Sequence, residues 1–135
     1  MRKIIGAAFS TLDGVIQGPG GPNEDTTGDF RFSGWLPPVG DDVIDAKIGE
    51  LFGRPFDLLL GRRTYDIFAA YWPYAPDEMA QIRDPFNART KYVVTHRDAP
   101  LEWENSRKVS IEDLAAATSA NFLRLFAKIE GRPQA

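Results

Sequence analysis

The chain has 135 residues, 43% hydrophobic and 26% charged, with a formal net charge of −3 at pH 7. That length suits one domain with one core, and an acidic balance gives no electrostatic reason to expect nucleic acid binding. With no cysteine and one histidine, the chain excludes a disulfide framework, a thiol nucleophile, a thiolate metal site and a multi-histidine centre.

No metal is expected, and no acidic spacing singles out a carboxylate magnesium site. The missing cysteines fit a cytoplasmic protein. No apolar run approaches the length of a membrane span. Between residues 13 and 50 stand eight acids and two bases, whereas Arg54, Arg62, Arg63, Arg83, Arg89, Lys91 and Arg97 gather later. Such asymmetry suits a ligand with a phosphate at one end, and it equally describes two solvated faces.

The start has a basic lead, Arg2-Lys3, and a short apolar stretch like that of a signal peptide. Ser10, Thr11 and Asp13 cut it short and no cleavage site follows. Residues 3–10 therefore read as a central buried strand, with Asp13-Gly14 as the next turn. Residues 17–38, with five glycines and four prolines, form a long irregular loop, and such loops are usually functional or mobile. Its Phe30, Phe32 and Trp35 either fold over a flat ligand or staple the loop to the core. Trp35 is the aromatic in this loop best placed by sequence to touch a substrate.

An amphipathic helix is predicted over residues 41–52, with Asp41 or Asp42 as its N-cap, ended by Gly53-Arg54-Pro55. A strand over 56–60 and a helix over 63–71 follow. Further predictions are a short helix around 77–83, a strand over 91–95 and a short strand within 103–109. Ser110 and Asp113 form a loose capping box that opens a helix through Ala117. A helical tail over 121–129 carries Phe122, Leu125, Phe126 and Ile129 on one face. Tyr65, Phe68, Tyr71, Trp72 and Tyr74 read as core and interface. This alternation predicts an α/β fold with a mainly parallel sheet, whose ligands bind beyond the carboxyl ends of the strands.

The most informative of those ends is Leu58-Leu59-Leu60-Gly61-Arg62-Arg63-Thr64-Tyr65. A helix start presents unpaired N–H groups and partial positive charge. Glycine admits a close neighbour, and guanidiniums and a hydroxyl suit a phosphate. The same pattern also serves as an ordinary strand-to-helix turn with solvated arginines. Thr95, His96 and Arg97 stand at the next strand end. His96 is either a protonatable donor to a phosphate or a strand-end histidine without a role.

Four pieces in order carry a resemblance: Lys3-Ile4-Ile5 through Ser10-Thr11-Leu12-Asp13-Gly14-Val15-Ile16; Pro19-Gly20-Gly21-Pro22 with Asp25 and Gly34-Trp35; Asp57 through Phe68 with Tyr71-Trp72-Pro73; and Lys91-Tyr92-Val93-Val94-Thr95. Together they resemble the dihydrofolate reductase-like proteins, in the subgroup related to the C-terminal reductase domain of the bifunctional riboflavin-biosynthesis deaminase-reductase. The resemblance covers about residues 1–117. It implies one three-layer domain with a mainly parallel central sheet, shortened at its C-terminal end, in a cytoplasmic, often dimeric, NADPH-dependent reductase.

By position, the resemblance implies that Gly61, Arg62, Arg63 and Thr64 bind cofactor phosphates and that Thr95, His96 and Arg97 lie near the adenosine 2′-phosphate. Ala8 and the turn of Asp13, Gly14, Val15 and Ile16 would border the nicotinamide. The reaction would be hydride transfer to a pterin- or pyrimidine-like heterocycle. The proton-assisting carboxylate would fall among Asp41, Asp42 and Asp45, which also read as caps and solvated acids. The family's later strand and its glycine turn for the cofactor pyrophosphate have no counterpart after Thr118, so a second copy is expected to complete the sheet. The alternatives are an inactive ligand-binding or interaction module that keeps the fold, and a flavin- or nucleotide-binding protein using the same anion site.

Overall fold

The computed structural model describes residues 4–130, with side chains through Arg124. The chain divides into two compact units, Met1–Leu51 and Phe52–Ala135.

The first unit is mostly irregular. Residues 4–10, expected as a central strand, form no strand and are exposed along their length, with Ile4 at 76%. An apolar run becomes a strand only where a neighbour pairs with its backbone, and none of the described strands does so here. A tight turn follows, in which Thr11 N–H donates to Val15 O at 3.0 Å and Gly14 N–H to Thr11 O at 3.0 Å. Gly14 sits at φ +88, a conformation that glycine adopts without strain.

The long loop is closed on itself by Gly34 N–H to Gly18 O at 2.7 Å and Leu36 N–H to Pro19 O at 3.0 Å. Two 3-10 turns, Thr27–Asp29 and Pro37–Val39, lie within it. Helix α1, Asp42–Phe52, is capped by Asp41, whose Oδ1 accepts from Val43 N at 3.1 Å and Ile44 N at 2.9 Å. None of its residues is fully buried.

The second unit holds a three-stranded parallel sheet in the order β1-β2-β3, with β1 Leu58–Gly61, β2 Lys91–Val94 and β3 Ser106–Val109. This shows the α/β character expected from the alternation. Helix α2, Arg62–Tyr71, starts directly from β1. Its Tyr65, Phe68, Ala69 and Trp72 recur at helical spacing and build one apolar stripe.

Helix α3 covers Ala80–Ala88 and runs through Pro85, so it is longer than the short helix expected around 77–83. Helix α4, Ile111–Glu130, is one continuous helix where two were expected. Thr118, at the predicted break, folds its hydroxyl back onto Leu114 O at 2.9 Å and Ala115 O at 3.0 Å, which accommodates a residue that otherwise favours a helix end. Ser110 caps α4, its Oγ accepting from Asp113 N at 2.9 Å.

The core of this unit is Leu60, Tyr65, Phe86, Val93 and Trp103, with Phe52, Phe56, Phe68 and Trp72 packed around it. Phe86 is the hub, its ring centroid 5.0 Å from those of Phe52 and Trp72 and 5.7 Å from that of Phe68. Such clusters bury large apolar areas in preferred edge and offset geometries. Tyr71 and Tyr74, expected among the core and interface aromatics, are instead exposed. Phe122 of the expected tail face is exposed too, while Leu125, Phe126 and Ile129 lie beyond the described side chains.

Candidate functional site

The three strands end level, because Gly61 pairs with Val94 and Val94 with Val109. Whatever follows each strand therefore emerges at one edge of the sheet. After β1 come Arg62, Arg63 and Thr64 in the first turn of α2, and after β2 come Thr95, His96 and Arg97. The structure thus brings together, at one carboxyl edge, the two groups of candidate phosphate ligands that the sequence separates by some thirty positions.

Gly61 is the N-cap of α2 and has no side chain to cap it. Its φ of −72 and ψ of 157 are open to any residue, and a Cβ built there would meet nothing within 4 Å. Neither the backbone nor the packing of the chain requires glycine at this position. The open space beside uncapped amides is what a closely approaching anion would use.

Arg63, Thr64, His96 and Arg97, which follow the two strand ends, are exposed. Thr95 is buried at 4% and plays a structural part: its N–H donates to Val109 O at 3.1 Å and its Oγ1 accepts from Arg97 N at 3.0 Å.

Arg62 differs from Arg63. Its side chain is only 17% exposed, its Nε donates to Asp66 Oδ1 at 2.8 Å and its Nη1 to Ala99 O at 3.1 Å. The guanidinium also lies 5.8 Å from the centroid of the Tyr65 ring. It belongs to the wall of an open groove of about 870 Å³ between α2 and residues 99–104, shared with Asp66, Tyr74, Trp103, Glu102 and Glu104. Sequence does not reveal this groove, because its second wall, residues 99–104, carries no recognisable motif and meets α2 only in the folded chain.

The remaining candidates lie in the first unit. Ala8, Gly14 and Ile16 are exposed and Val15 is half-buried, in and before the Thr11–Val15 turn. Trp35 is half-buried, its indole N–H donating to Gln17 O at 3.0 Å. It ties the long loop to itself, from residue 35 back to residue 17. Asp42 and Asp45 are exposed in the first turn of α1, whose cap is Asp41.

Lys91 is a group the sequence reading passed over. It is the first residue of β2 and fully buried, its Nζ donating to Phe86 O at 2.8 Å and Asn87 O at 2.9 Å, 4.3 Å from the centroid of the Trp103 ring. An ammonium at the C-terminus of α3 meets the negative end of the helix dipole. Burial pushes its pKa down to about 8, opposed by the charge of Glu104. A lysine a few residues past a helix end was the available signal, since cations there satisfy the last carbonyls.

Among the described residues no helix is long and apolar enough to cross a membrane. No protein-family model matches the chain, and no significant match is found among curated proteins.

Proposed function

We propose that the carboxyl edge of β1 and β2 binds the phosphates of NADPH, and that the protein uses this cofactor to reduce a pterin- or pyrimidine-like heterocycle. The observation that carries the reading is the uncapped start of α2 at Gly61, with open space where a Cβ would stand, set in register beside Thr95, His96 and Arg97. The motif resemblance points the same way and implies a cytoplasmic homodimer.

The first-turn amides of α2 with Arg63 and Thr64 would hold one phosphate. His96 and Arg97 would hold the adenosine 2′-phosphate, His96 most strongly when protonated. The bound cofactor would supply a hydride to the carbon of a C=N or C=O group. The resemblance alone assigns the flat ring to Ala8 and the turn containing Gly14, Val15 and Ile16. The resemblance alone assigns delivery of the matching proton to Asp42 or Asp45.

Titration of the protein with NADPH and NADH, followed by the fluorescence of its three tryptophans, tests this reading. Saturable binding with at least a tenfold preference for NADPH is expected. Arg63→Ala is expected to weaken NADPH by about tenfold to a hundredfold, the worth of one charge-assisted hydrogen bond. Absence of binding at millimolar cofactor would overturn the assignment in favour of a fold that carries no reductase reaction.

A further inference from the structure

We infer that Arg62 is a positioning residue for the segment after β2, and not itself a phosphate ligand. In sequence it is indistinguishable from Arg63, since both stand in the first turn of α2 behind a glycine. In the structure two of its five N–H donors, on different nitrogens, are already used. Nε is committed to Asp66 one turn along the same helix, and Nη1 reaches across to the carbonyl of Ala99, 37 positions away in sequence. A guanidinium has a fixed planar fork of donors, so two bonds at different nitrogens fix its orientation.

The segment it holds is the one that carries His96 and Arg97. From Thr95 to Trp103 this connection between two parallel strands contains no helix. Its shape comes from bonds spaced along it. Arg97 N–H donates to Thr95 Oγ1 at 3.0 Å, Lys108 Nζ meets Asp98 at 2.9 Å, and Trp103 N–H donates to Tyr65 OH at 2.9 Å. The Asp98 pair is fully open to solvent on its acidic side, and such exposed pairs contribute little. The bond from Arg62 to Ala99 O is therefore the principal tie between α2 and the part of the segment next to Arg97.

The groove supplies a second reason. Arg62 contributes one positive charge to a wall that also carries Asp66, Glu102 and Glu104. A phosphate brought to Arg62 would enter a groove lined by three carboxylates, whereas the residues that follow the strand ends include the exposed Arg63, His96 and Arg97. The consequence for cofactor choice rests on the phosphate reading of the edge. The tie itself does not.

Two measurements on the full chain separate these points. The first is amide hydrogen exchange over residues 97–101 with no ligand present. Arg62→Ala is expected to speed it at least tenfold, while exchange in β1 changes little. Arg62→Lys, which keeps a cation able to reach one or both oxygens, is expected to recover part of that protection.

The second is the titration with NADPH and NADH. Arg62→Ala is expected to weaken NADPH more than NADH, as Arg97→Ala does, because it loosens the segment that carries His96 and Arg97, whereas Arg63→Ala weakens both by a similar factor. Unchanged exchange in Arg62→Ala overturns the inference, and so does an equal loss of both cofactors, the mark of a direct contact with the phosphates they share. If the wild-type protein binds neither cofactor, the reductase reading fails and the exchange result alone decides whether Arg62 is the tie.

Discussion

Lys91 shows how one side chain can be read two ways. An ammonium excluded from water is costly unless its hydrogen bonds are met. Here two helix-end carbonyls and an aromatic ring meet it. Lys91→Met leaves Phe86 O without that donor and is expected to cost about 1–3 kcal/mol at neutral pH.

The pH dependence follows from the lowered pKa. The folded protein releases this proton near 8, the unfolded chain near 10.5. Between those values the unfolded state binds more protons, so stability rises with pH across that window. Below about 8 both states hold the proton and the contribution is flat. Urea unfolding of wild type and Lys91→Met at pH 7.5, 9 and 10 is expected to show the gap between them widening. A constant gap would mean that burial does not perturb the ammonium. Its place shortly after a helix end is the one sequence signal for Lys91 as a cap; its burial is not legible, because a lysine opening a strand is ordinarily solvated.

At the scale of elements, the caps sort the three acids of the 41–45 region. Asp41 accepts two backbone N–H groups, whereas Asp42 and Asp45 lie in the exposed first turn. Asp41→Ala is expected to cost about 0.5–2 kcal/mol locally, read as faster amide exchange at Val43 and Ile44. Asp42→Ala and Asp45→Ala are expected to leave that exchange nearly unchanged, which keeps them usable as tests of proton delivery.

The elements that were legible share a physical reason. β1, β2 and α2 combine a strong apolar pattern with tertiary partners that reward it, and Gly61 punctuates them where the structure does. Residues 4–10 have the pattern of a strand and no pairing partner among the described strands. The α3 and α4 boundaries differ from those predicted because Pro85 is carried inside its helix and Thr118 satisfies its hydroxyl within its own turn. At the candidate site, sequence was enough to find the residues that converge on the carboxyl edge. It could not separate Arg62 from Arg63, because that difference depends on the carbonyl of Ala99, fixed by tertiary structure.

At the scale of the whole molecule, cohesion is unevenly distributed. Every buried apolar side chain of the core belongs to the second unit. The first unit, among its described residues, fully buries only Gly18 and is held by turn and loop hydrogen bonds. Hydrophobic burial dominates stability, and weakly packed regions open without global unfolding. Amides of residues 11–36 are therefore expected to exchange on the order of a hundredfold faster than those of β2. Equal protection in both would show that the two units unfold as one.

The sheet order β1-β2-β3 is also the order of the strands along the chain. β2 meets β1 across 33 positions, from Leu58 to Lys91, and β3 meets β2 across only 15, from Lys91 to Ser106. During synthesis each new strand can thus add to an edge already made, and none has to be inserted between two that are already paired. Parallel pairing is ordinarily slow because its loops must close before contacts reward them. Here the second closure is the shorter, so the first meeting of β1 and β2 is expected to limit sheet formation.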